Sequence, residues 1–162
     1  MLKKNFLIIL IFITSTVYSQ TDSLGWKLKL NECKATLGYV YQKEHLFEFG
    51  IKIDYYNELK KYRIRQNFSL MIGGQLTGHS QVTYLAPFVS FRYLHPFNDN
   101  FGGVLMTTYS YRNELGVNSN IITPELGINI NQFTISYGYN FFLDNPNLWI
   151  SNHRLALRLM YN

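Results

Sequence analysis

The chain has one cysteine, Cys33, so no intramolecular disulfide can form. It has few acids, ten Asp and Glu against fifteen Lys and Arg, and a formal net charge of +5. It has no cluster of metal-ligating residues, no phosphate-binding glycine loop and no cofactor fingerprint. Structural metal sites, nucleotide chemistry and resident cofactors are therefore not expected. It also lacks an apolar stretch of the roughly 20 residues a membrane helix needs. If the chain crosses a bilayer, it does so with strands.

What is present begins at the N-terminus. Met1-Leu2-Lys3-Lys4-Asn5 is a short basic region, and Phe6 to Ile13 is an unbroken apolar run. Thr14, Ser15 and Thr16 end that run, and Val17-Tyr18-Ser19 supplies a cleavage context. The reading is a secretory signal peptide over residues 1–19, cleaved after Ser19. No cysteine follows the run closely enough to accept a lipid. Loss of Lys3 and Lys4 lowers the net charge by two, leaving a weak basic balance. That balance and secretion both argue against a nucleic-acid partner.

The remaining chain of about 143 residues is one domain by length. Its dominant signal is alternation with period two, the signature of strands with two unlike faces. Phe47, Phe49, Ile51, Ile53 and Tyr55 alternate with Glu48, Gly50, Lys52 and Asp54. The same pattern recurs over 35–42, 62–77, 81–93, 101–111, 121–130, 133–142 and 152–161. Short polar segments separate these runs, with 112–120 the longest clear loop expected. Residues 20–33 read as a lead-in, in which Trp26 to Asn31 is an extra strand, the start of the first strand, or a periplasmic lead.

About eight strands follow, spread over residues 34–162. The polar face is mainly Gly, Ser, Thr and Asn: Gly38, Gly50, Ser69, Gly73, Ser90, Gly127, Ser136, Gly138 and Asn140. Small residues suit the crowded interior of a narrow barrel. The other face carries Phe, Tyr, Leu and Ile, which suits lipid. Tyr39, Tyr41, Tyr55, Tyr93, Tyr109, Tyr111, Tyr139 and Tyr161 fall near strand ends on that face, where an interfacial girdle lies. The expected fold is all-β, an antiparallel up-and-down transmembrane barrel. The alternative is a soluble periplasmic barrel of lipocalin type, with the apolar face inward and an apolar ligand.

The strands 124–130 (PELGINI), 133–140 (FTISYGYN) and 155–161 (LALRLMY) resemble those of small bacterial outer-membrane β-barrel proteins with eight-stranded domains. The resemblance spans the signal peptide and roughly residues 34–161. It implies an outer-membrane location, membrane lipid and the barrel-insertion machinery as partners, lipopolysaccharide as a further one, and a monomer. It also implies a C-terminal insertion signal formed here by Leu157, Leu159 and Tyr161. Members of the family usually end on the aromatic residue, whereas Asn162 follows Tyr161 here.

Glu48, Lys52, Asp54, Arg92, Glu125 and Arg158 fall on the inner face, with Arg63, Arg65 and Arg154 nearer strand ends. Charges in a narrow lumen need partners, so these are expected to pair into an ionic plug rather than line an open pore. Some small outer-membrane barrels modify lipids with His, Ser and a carboxylate. His45, His79-Ser80, His95 and Ser151-Asn152-His153 do not reproduce such a spacing, so a non-enzymatic role is expected. The stretch Lys60 to Arg65 reads first as a solvated basic strand end and second as a contact for anionic headgroups or lipopolysaccharide.

Overall fold

The computed structural model describes residues 26–28, 33–58, 65–79, 82–114, 116–144 and 150–160. The expected signal peptide, the core of the basic stretch and Tyr161 lie outside these residues. The described chain is all strand and turn. Its strands are β1 (Trp26–Leu28), β2 (Lys34–Tyr41), β3 (His45–Glu58), β4 (Arg65–His79) and β5 (Val82–Pro96). They continue as β6 (Phe101–Glu114), β7 (Val117–Ile130), β8 (Phe133–Tyr139), β9 (Phe141–Phe142) and β10 (His153–Met160).

Every pairing is antiparallel; from β2 to β8 each strand lies beside its sequence neighbour, and β10 closes the ring between β8 and β2. One outward row traces the closure. Tyr41 faces Leu155, then Tyr137, Leu126, Leu105, Tyr93, Phe68 and Tyr55 in turn. Continued from β2, the register would set residue 31 opposite Tyr55, ten residues before Tyr41. Eight strands with that stagger tilt by about 40° around a backbone radius of about 8 Å. Such a lumen is filled by side chains.

β1 pairs with β3 on the side that β2 also uses, with Leu28 opposite Tyr55. Trp26 to Leu28 thus lies along the same edge of β3 as β2. β8 and β9 form one strand broken at Asn140. Pairing with β7 lapses at Tyr139 and Asn140, which the register sets opposite Pro124 and Thr123, and Pro124 has no N–H to give a ladder. β5–β6 pairing starts at Phe88, directly after Pro87.

One expectation needs correction. The loop expected over 112–120 is a hairpin: β6 runs to Glu114 and β7 starts at Val117, with Arg112 opposite Ser119. Its polar residues misled because Arg112 and Ser119 point into the lumen and Asn118 and Asn120 bond neighbouring tyrosines. Gly116, at φ +82°, makes the turn. Apolar side chains share the interior with the small polar ones. Met71, Phe88, Val104, Met106 and Met160 pack together inside, and Val40, Leu46 and Ala156 form a smaller cluster. Gly50 and Gly73, facing each other, make room by bringing backbones close. A Cβ on Gly73 would lie 2.0 Å from the Phe49 carbonyl oxygen.

Candidate functional site

The site is the charged interior. Alternation sends Glu48, Lys52 and Asp54 inward from β3, Arg92 from β5, Glu125 from β7 and Arg158 from β10. All six are buried, Arg158 at 2% exposure and Arg92 at 1%. Arg154, Arg112 and Glu44 join them inside.

At the centre two arginines and two glutamates form a closed set. Arg158 Nε lies 2.6 Å from Glu48 Oε2, and its Nη1 2.8 Å from Glu125 Oε2. Arg154 Nη2 reaches Glu48 Oε1 at 2.6 Å and Glu125 Oε1 at 3.5 Å. Neutral donors complete the carboxylates. Gln75 Nε2 donates to Glu48, and Ser136 Oγ and Thr108 Oγ1 donate to Glu125. Arg112 Nη2 in turn donates to Gln75 Oε1 at 3.0 Å.

Register explains why these four groups meet. Gly38 lies between Glu48 on β3 and Arg158 on β10, and Gly138 lies between Glu125 on β7 and Arg154 on β10. Each glycine leaves the space its larger neighbours occupy. A Cβ on Gly138 would sit 2.7 Å from Glu125 Cγ, and one on Gly38 3.1 Å from both Arg158 Cγ and Glu48 Oε2.

The other expected charges are arranged differently. Lys52 Nζ pairs with Asp54 Oδ2 at 3.0 Å, two residues along the same strand, and Ser69 Oγ donates to Asp54. Arg92 donates to Asn129 Oδ1 at 2.8 Å and to Thr134 Oγ1. Arg154, read as a strand-end charge, belongs to the central set. Its alternation with Leu155 was visible in the sequence, but its height in the barrel follows from the stagger.

Of the expected insertion signal, Leu157 faces outward and is exposed, and Leu159 is half-buried. His45 and His153 lie exposed at one rim of the barrel and His95 at the other. Their rings bond the Tyr39, Tyr137 and Tyr93 hydroxyls respectively. The side chain of His79 lies outside the described residues. Among the described residues no three His, Cys, Asp or Glu side chains gather to hold a metal ion.

No protein-family model, no curated protein and no solved structure matches this chain. Its function must be argued from its own geometry. That geometry is a closed eight-stranded barrel with buried ion pairs, charge inside and large apolar side chains outside.

Proposed function

We propose that this chain is a non-enzymatic outer-membrane β-barrel protein, monomeric, with an ion-paired lumen and a structural or surface-interacting role. One observation carries the reading: the barrel is inside out for water. Leu126 is 66% exposed, Leu85 62% and Phe47 60%, and similar residues stand on the outer face of every long strand. A soluble monomer rarely exposes so continuous an apolar surface. Lipid, by contrast, requires both that surface and a closed barrel with no unpaired edge.

Aromatic placement supports the same reading. Tyr39, Tyr41, Tyr109, Tyr111, Tyr137 and Tyr139 stand outward at one end of the barrel, and Tyr93, Phe97 and Phe101 at the other. Aliphatic residues such as Leu37, Ile72, Leu105 and Leu157 fill the band between. The charged interior argues against an apolar ligand inside. Membrane lipid and the barrel-insertion machinery are the partners this reading calls for. Lipopolysaccharide is the surface partner it allows.

Cell fractionation tests it. The expected result is a band in the detergent-resistant outer membrane whose gel mobility changes on boiling. Recovery as a soluble periplasmic protein would overturn it. An altered lipid A acyl profile in a deletion strain would overturn the non-enzymatic part alone.

A further inference from the structure

The sequence contains the triplet Tyr-x-Tyr three times: Tyr39-Val40-Tyr41, Tyr109-Ser110-Tyr111 and Tyr137-Gly138-Tyr139. The fold carries all three to the same end of the barrel, with both tyrosines of each triplet outward. In every case the adjacent strand sets a polar side chain against the pair. Asn120 and Asn118 accept from Tyr109 and Tyr111. At the other two triplets the side chain is a histidine.

The two histidine units share one construction. His45 contacts both Tyr39 and Tyr41, with ring centroids 5.8 and 5.6 Å away. His153 contacts Tyr137 and Tyr139 at 5.9 and 5.2 Å. Nδ1 of each ring is hydrogen-bonded to a tyrosine hydroxyl, Tyr39 for His45 and Tyr137 for His153. A phenol can donate to neutral Nδ1 or accept from protonated Nδ1–H, so the contact survives titration with roles exchanged. Nε2 of both rings has no partner among the described residues.

β2 and β3 present Tyr39, Tyr41 and Phe47 to His45, and β8 and β10 present Tyr137, Tyr139 and Leu155 to His153. Lys43 is exposed on the turn between β2 and β3. Glu44, its neighbour, turns into the barrel and accepts from Thr77. Among the described residues no carboxylate lies within ion-pair distance of either imidazole. The two histidines stand on strands two apart, about 10 Å across the sheet.

We propose that His45 and His153, each held between a pair of tyrosines, form a pH-gated site for the phosphate groups of an anionic lipid headgroup at this rim. The proposal rests on the membrane reading above. A protonated imidazole attracts phosphate and a neutral one does not, so headgroup retention is greater in acid than in alkali. The protonated rings then offer N–H donors at headgroup depth, where anionic lipid concentrates cationic side chains.

The test uses the full mature protein refolded into vesicles of phosphatidylcholine with one-fifth phosphatidylglycerol, then extracted in mild detergent for native mass spectrometry. The wild type is expected to keep at least threefold more phosphatidylglycerol at pH 5.5 than at pH 8. In the double variant His45→Gln, His153→Gln that ratio is expected to fall to about one, with unchanged heat-modifiable mobility. Equal retention at both pH values, or an unchanged ratio in the double variant, overturns the proposal. Release of the lipid by millimolar inorganic phosphate at pH 5.5 would assign the site to free phosphate and overturn the headgroup source. Failure of the wild type to insert into vesicles at all would overturn the membrane reading with it. Insertion without pH-dependent retention overturns only the site.

Discussion

Glu48 is the residue on which the interior turns. It accepts from Arg158, Arg154 and Gln75, three side chains on two strands. A buried arginine that loses its carboxylate keeps its desolvation cost without compensation. Glu48→Gln is therefore expected to destabilise the folded barrel by about 3–5 kcal/mol, read as an earlier urea midpoint with the gel mobility shift as probe. A midpoint within error of wild type would show that the central set contributes specificity and no net stability. Arg154 shows what alternation can and cannot convey at this scale. Its parity marks it as inward, yet its partnership with Glu48 and Glu125 depends on β3, β7 and β10 being staggered by the right amounts.

Among the elements, the β6–β7 hairpin gives the cleanest local test. Gly116 adopts φ +82° and a Cβ there would meet nothing within 4 Å. Gly116→Val then measures backbone strain without steric overlap, and is expected to cost about 1–2 kcal/mol. The same readout of urea midpoint applies, and no loss would mean the turn relaxes freely. At the β7–β8 turn Asn131 has φ 53°, which asparagine tolerates better than most residues.

The segment after β9 leans on β7 by a different means. The Asn120 backbone N–H donates to Asp144 Oδ1 at 2.8 Å, and the Asn120 side chain donates to Oδ2. Those donors, the backbone one first, hold the fully exposed Asp144 carboxyl below its ordinary range. Its contribution is present above the unfolded carboxylate value, about 3.9, and disappears as pH falls through the lower folded value. The protection of the Asn120 amide, its exchange relative to the unstructured rate at the same pH, is expected to fall once pH drops through that lower value, and Asp144→Asn is expected to remove the pH dependence.

For the whole molecule, the question is whether the barrel conducts. Eight strands staggered by ten leave a narrow lumen, and it holds Arg92, Arg158, Lys52, Met71, Met106 and Phe88. Purified protein in planar bilayers is expected to show no steady conductance. Reproducible channels would mean that the ionic centre opens.

Much of the architecture was legible beforehand because a strand repeats every two residues whatever its neighbours do. The alternation of 47–55 alone separates a charged face from an aromatic one, and the outward positions Leu37, Phe47, Ile72, Leu126 and Leu157 followed directly. Where polar side chains served the fold, the reading failed. Arg112, Ser119 and Asn120 looked like loop and are strand. Local sequence by itself determined strand number, the two faces and the Tyr-x-Tyr triplets, since all of these are properties of one strand. Only the tertiary structure decided which charges meet, that Gly38 and Gly138 open space for them, and that three triplets far apart in sequence share one rim. Those outcomes depend on closure and stagger, which are relations among strands and leave no mark on any one of them.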